Sequence, residues 1–87
     1  MDLSQSFSES VKQVQELTKR PANDELLNLY GLFKQSTEGN ITGDRPGGFD
    51  FKAIAKFDAW NNQKGKSKEQ AMQDYIAFAQ ELISKYR

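Results

Sequence analysis

Apolar side chains recur at helical spacing from one end of this chain to the other. Nowhere do they alternate as a half-buried strand requires. The cleanest stripe comes last. Met72, Tyr75, Ile76, Ala79, Leu82, Ile83 and Tyr86 line one face of a helix expected from about Lys68 to Tyr86, opened by Ser67 and Gln70 at capping-box spacing. Phe78 lies off that stripe and is expected to be partly exposed. Leu3, Phe7, Val11, Val14 and Leu17 predict a first helix from about Ser4 to Leu17, with Ser4 and Ser6 as competing starts. A second helix follows Pro21, with Asn23 as its cap and Asp24 and Glu25 at the positive end of its dipole. Its apolar arc, Leu26 to Phe33, is wide enough to meet neighbours on more than one side, and Gly39 stops it. The connection Gly39–Asp50 is long enough to cross the molecule, after which Asp50 caps a third helix, about Phe51 to Asn62, with Phe51, Ile54, Ala55, Phe57 and Trp60 as its apolar positions. The expectation is an all-α four-helix bundle forming one domain, residues 1–87, since 87 residues suffice for one core and not for two.

The chain has neither cysteine nor histidine, which removes disulfides, thiolate nucleophiles, and the commonest general base and metal ligands. No metal site, cofactor or catalytic residue is expected. The apolar runs are far too short to span a bilayer, and MDLSQSFSES is polar and acidic where a secretion signal would be basic and then apolar. A cytoplasmic protein with no stable membrane insertion is the expectation. The zero net charge hides a pattern: residues 45–68 carry six basic and two acidic side chains, while both flanks are acidic on balance. Overall neutrality argues against a nucleic-acid binder that depends on the phosphate backbone, but a local basic segment is compatible with one small anion.

No arrangement of carboxylates announces catalysis, and most sit at helix starts or on outer faces. Lys64–Ser67, KGKS, has phosphate-loop letters without the preceding glycine or the strand such a loop follows. Attention falls on Tyr30 and Lys34, four apart on the second helix, on Lys52 and Lys56, four apart on the third, and on Tyr75. Lysines offer mobile point charges and tyrosine a directional donor, so the set could hold a phosphorylated ligand. Two lysines converging from separate helices would repel each other until the anion arrives. Solvated lysines beside core tyrosines explain the same residues, and the pattern alone leaves both readings open.

Three stretches decide between them: YGLFKQSTEGN at 30–40, DRPGGFDFKAIAKFDAWNNQKGKSKEQAM at 44–72, and YIAFAQELISKY at 75–86. Together they resemble the acyl-CoA-binding protein family, whose pattern runs Y-x-x-[YF]-K-Q-A-T-x-G, then R-P-G, then K-W-x-A-W-x-x-x-K-G. The resemblance covers Phe7 to Tyr86. It implies a bowl-shaped bundle of up-down-down-up topology that binds medium- to long-chain acyl-CoA non-covalently. Such a protein is an intracellular carrier and pool former for lipid metabolism and not an enzyme. It further implies a monomer with transient contacts to enzymes that make or use acyl-CoA.

Carried over by position, Tyr30, Lys34 and Lys56 would grip the 3′-phosphate of the coenzyme A ribose, and Phe33 would lie against the adenine. Lys52 would stand at the head-group rim, and Tyr75 would approach the pantetheine and the acyl end. Gly31 and Leu32 line the same stretch, with the small Gly31 suited to close approach of a ligand. Three positions depart from the family pattern. Phe33 stands where tyrosine is frequent, and Phe57 where tryptophan is frequent. Gln15 stands at a first-helix position that is often basic near the nucleotide, with Arg20 as a nearby compensating charge. The rival expectation is a helical protein-interaction module that docks an acidic partner on the basic middle segment.

Overall fold

The computed structural model describes residues 2–87, so Met1, the first residue of the expected domain, lies outside the described residues. It contains α1 (Leu3–Gln15), α2 (Asn23–Glu38), α3 (Phe51–Asn61) and α4 (Lys68–Tyr86), and among the described residues no strand.

Each helix begins where a side chain satisfies an otherwise orphaned backbone N–H. At α1 that residue is Asp2, not Ser4 or Ser6. Its carboxylate accepts the Gln5 N–H at 2.8 Å, and the Gln5 amide oxygen accepts the Asp2 N–H at 3.1 Å. A carboxylate adds charge at the dipole's positive end, which a serine cannot. At α2 the cap is Ala22 and not Asn23. Alanine offers no acceptor, so only half of a capping box forms, with Glu25 accepting the Ala22 N–H at 2.9 Å. Asp50 caps α3 by accepting from Ala53 N–H at 3.1 Å, and Ser67 caps α4 by accepting from Gln70 N–H at 3.0 Å. The Gln70 side chain turns forward to Asp74 instead of back to Ser67, so this box too is half made. Gly39 ends α2 with φ +81°, a conformation glycine adopts without penalty.

Contacts between helices give their directions. Tyr30, Gly31 and Lys34 of α2 meet Lys56, Ala59 and Trp60 of α3 in rising order, so these neighbours run parallel. Phe7 and Gln13 of α1 meet Tyr75 and Gln80 of α4, also in rising order. By contrast, Glu25 at the start of α2 meets Lys85 at the end of α4, while Gln35 near its end meets Lys66 just before α4 begins. The topology is therefore up-down-down-up. Laterally the order is α1, α4, α2, α3, a layer only 14 Å thick. Parallel α2 and α3 need a return path of about 16 Å for an eleven-residue helix, which the connection at residues 39–50 supplies.

The two inner helices and Phe7 of α1 carry the core. Phe7, Leu29, Leu32, Tyr75, Ala79 and Leu82 form its buried cluster. On α4 the fully buried line is Ala71, Tyr75, Ala79 and Leu82, with Met72, Ile76, Ile83 and Tyr86 half-buried beside it. Small alanines face inward because α4 is clasped between α1 and α2. Phe78 is half-buried, partly exposed as its off-stripe position predicts, with its covered part packed against the core. The outermost helix, α3, has one neighbour and no fully buried residue, and Phe51 in its first turn is 71% exposed rather than apolar lining.

Buried Gln35 ties the connectors down at one end. Its amide donates to Asn40 Oδ1 at 2.9 Å and to the Lys66 carbonyl at 2.8 Å, while Asn40 also accepts the Gly65 N–H. Trp60 Nε1 donates to the Gly39 carbonyl at 2.9 Å and closes α3 onto the end of α2.

Candidate functional site

Two adjoining hollows on one face share Leu26 and Tyr30. The first, about 350 Å³, lies between α2 and α3, with Leu27 and Ala55 among its lining and Arg20, Tyr30, Lys52 and Lys56 supplying its polar groups. The second, about 240 Å³, is an aromatic and aliphatic recess whose lining includes Gln15, Leu29, Phe33 and Tyr75. A cationic basin thus opens beside an apolar one, with Tyr30 between them.

Of the residues proposed from the sequence, six line these hollows: Gln15, Tyr30, Phe33, Lys52, Lys56 and Tyr75. The Lys56 ammonium stands 5.4 Å from the Tyr30 ring centroid, a cation–π distance. Phe33 is 37% exposed and stacks on Phe7 with ring centroids 5.9 Å apart. One ring face is thereby held, and part of the remainder is open to a planar partner. Tyr75 meets Phe7 edge-on at 5.1 Å, and burial pushes its hydroxyl up to about 12. It stays a neutral donor throughout the physiological range.

Lys34 stands just outside the hollows. Its ammonium is bonded to the Glu38 carboxylate and lies 5.0 Å from the Trp60 ring centroid. The bond to Glu38 holds its pKa above the ordinary lysine value, against the opposing effect of desolvation, and the Tyr30 phenol adds a smaller push in the same direction. Lys34 is therefore already partnered, and an arriving phosphate would compete with Glu38 for it.

Gly31 and Leu32 point elsewhere. Both are buried, and a Cβ on Gly31 would come within 2.3 Å of the Ala59 carbonyl oxygen. The glycine lets α3 approach α2. Leu32 belongs to the core cluster. Both shape the site from beneath.

Several lining residues went unassigned from sequence, Leu26, Leu27 and Ala55 among them. Leu26 and Leu27 extend the apolar wall, and their signal was the wide arc of α2, which turns out to face α4, α3 and the hollows together. Ala55 carries no signal beyond a helical register. Arg20, anticipated only as a substitute charge, lines the same hollow as Lys52 and Lys56, with its guanidinium 3.4 Å from Asn23 Oδ1. The third departure, Phe57, is half-buried on α3.

Known proteins are similar to this chain in sequence and shape. The family described as "Acyl CoA binding protein" matches residues 4–79. An acyl-CoA-binding protein homolog of Drosophila melanogaster is 49% identical over 84 residues, covering 97% of this chain and 98% of that protein. The acyl-CoA-binding protein of Saccharomyces cerevisiae is likewise 49% identical over 84 residues, 97% of each chain. The crystal structure of acyl-CoA-binding protein 2 from Oryza sativa superimposes with a TM-score of 0.91 at 42% identity, covering 97% of this chain and 93% of the other.

Proposed function

We infer, since the chain belongs to the acyl-CoA-binding protein family, that it binds acyl-CoA esters non-covalently and carries them without chemical change. The observation that supports this reading best is the pairing of a cationic hollow with an apolar one across Tyr30. Acyl-CoA is an amphiphile of that pattern, a phosphorylated nucleotide joined to a hydrocarbon tail.

In the proposed assignment, Lys56 and Tyr30 hold the 3′-phosphate of the ribose. Lys34 joins them when it exchanges Glu38 for the anion. Phe33 takes the adenine on the ring surface that Phe7 leaves open, and Gln15 reaches the nucleotide as a hydrogen-bonding group. Lys52 and Arg20 stand at the rim, and Tyr75 faces the pantetheine and acyl end. Gly31 and Leu32 support the wall from behind. The whole of residues 1–87 acts as one binding domain, monomeric and cytoplasmic, with brief encounters at enzymes that release or consume acyl-CoA. The ligands are medium- to long-chain esters, kept as a protected pool.

The energetics divide by ligand part. Burial of the tail contributes roughly 0.8 kcal/mol per methylene, so about ten methylenes contribute on the order of 8 kcal/mol before ordering costs. The head-group contacts select coenzyme A over free fatty acid. Calorimetric titration with acyl-CoAs of several chain lengths tests this, with free coenzyme A and free fatty acid as controls. Affinity is expected to climb steeply with length, and equal affinity for short and long esters would overturn the mechanism. Trp60, which lies under Lys34, reports the same event by fluorescence. A saturable change with palmitoyl-CoA is expected, whereas a module built only to dock an acidic protein would give none.

A further inference from the structure

Among the described residues, the most exposed large apolar side chains stand together. Phe49 is 91% exposed and Phe51 is 71% exposed, and their rings meet edge-to-face with centroids 6.3 Å apart. Scattered exposed phenylalanines are ordinary, but two in contact form one patch. The backbone holds them in place. Asp50 between them has φ −83° and ψ 75°, the inverse γ-turn conformation, and the Phe51 N–H donates to the Phe49 carbonyl at 3.0 Å. Gly48, at φ +69°, lets the chain turn into this tip. Neither ring contributes to the core or to the hollows of the ligand site.

The surroundings are cationic. Lys52 follows Phe51 directly, Lys56 lies one turn further, and Arg20 shares their hollow. Among the described residues, none of the three pairs with a carboxylate. The nearby acids are mostly engaged. Asp50 turns its carboxylate to the Ala53 N–H, and Asp58 is held by Arg45 through two bonds of 2.9 Å. Asp44 is the exposed exception on the same connection.

We propose that Phe49 and Phe51 form a wedge that seats this protein reversibly on an anionic lipid surface, with Lys52, Lys56 and Arg20 facing the headgroups. A wedge that protrudes suits a deformable apolar layer, and the lysines suit a negatively charged one. A second copy of the chain is disfavoured, because meeting through this patch would bring the same cations together. No described helix is long and apolar enough to cross a membrane, so the association is peripheral. Phe51 stands one helical turn before Ala55, which lines the cationic hollow, so a docked protein turns that hollow toward the bilayer. The aromatic wedge lies outside the ligand hollows, while Lys52, Lys56 and Arg20 line the cationic one and are shared with the carrier reading.

The test is co-sedimentation of the full chain with vesicles of phosphatidylcholine, alone or mixed with phosphatidylserine. Wild type is expected to partition onto the mixed vesicles, weakly onto the neutral ones, and less as salt rises. Phe49→Ser or Phe51→Ser lowers partitioning by about tenfold each, as expected for one ring withdrawn from the apolar layer. The double leucine variant, Phe49→Leu with Phe51→Leu, recovers most of it. Calorimetry without vesicles should find the acyl-CoA affinity of the serine variants unchanged, because neither ring lines the ligand site. Equal partitioning of wild type and the double serine variant overturns the proposal. So does wild type without preference for the mixed vesicles, or a concentration-dependent dimer in sedimentation equilibrium that the serine variants abolish. Absence of acyl-CoA binding would sink the carrier reading and leave this one intact.

Discussion

The ammonium of Lys56 on α3 stands 5.4 Å from the centroid of the Tyr30 ring on α2, at the boundary between the cationic and the apolar hollow. Neither helix could present this pair alone. The juxtaposition depends on α2 and α3 lying parallel and close, which in turn depends on Gly31 admitting the Ala59 backbone one residue beyond Tyr30.

Lys56→Ala is accordingly expected to weaken acyl-CoA binding by about tenfold or more, the loss of one charge-assisted bond to a phosphate. The helix should remain, since alanine is a better helix former than lysine. Calorimetry with acyl-CoA and with its 3′-dephospho analogue checks the assignment. The analogue should bind wild type and variant alike. If Lys56→Ala weakens both ligands equally, Lys56 does not hold the 3′-phosphate.

Glu38 provides the opposite experiment. Its carboxylate occupies Lys34, whose side chain is 24% exposed, and its own is 52% exposed. An ion pair this open contributes at most about 1 kcal/mol. Replacing it by Glu38→Gln should free Lys34 and raise acyl-CoA affinity by a few-fold at low ionic strength, with the gain fading as salt screens the site. Unchanged or weaker binding at low salt would show that Lys34 does not exchange partners.

Gly31→Ala tests the scaffold. Alanine favours a helix over glycine by about 1 kcal/mol. Here the added methyl would sit 2.3 Å from the Ala59 carbonyl oxygen and 2.7 Å from its carbon, both rigid backbone atoms. Separating two packed helices costs about 1–3 kcal/mol and sometimes more, so the clash should win. A fall in melting temperature of several degrees is expected, together with weaker ligand binding because α3 carries Lys52 and Lys56. A variant as stable as wild type would mean that α3 moves aside freely.

Much of this was legible in the residues before any coordinates. The four helices, the Asp50 and Ser67 caps and the Gly39 stop follow from local chemistry that acts within a few residues. The candidate pair Tyr30 and Lys56 did not follow from spacing, because it spans two helices, and the family resemblance carried it. The misplaced features have local as well as tertiary causes. Asp2 outcompetes Ser4 and Ser6 through charge at the dipole. Gly31 is small where the Ala59 backbone of α3 crosses it, and Lys34 has a carboxylate partner of its own. Phe51 reads as apolar lining by periodicity, yet α3 has a neighbour on one side only. A sequence period reports which face is apolar, not whether anything covers it.

The last relationship concerns stability in acid. Glu25, at the first turn of α2, accepts from the Tyr86 hydroxyl and from Lys85 at 2.9 Å, joining the start of α2 to the end of α4. The Tyr86 bond first, then Lys85 and the Ala22 N–H, hold its carboxyl down from an ordinary 4.5 to about 2. The folded value lies below the unfolded one, so the unfolded chain takes up the proton first. The stabilisation is therefore complete above the ordinary carboxylate range, declines as pH falls through it, and vanishes below about 2. Thermal melts followed by circular dichroism across that window should show Glu25→Gln losing less melting temperature on acidification than wild type. Tyr86→Phe, which removes the largest single cause, should fall between the two. Asp58 and Asp74 are also held below their usual range, by Arg45 and Lys66 respectively, so an acid slope persists in every variant. Identical slopes in wild type and Glu25→Gln would show that the α2–α4 clasp is too loose in solution to shift the carboxyl.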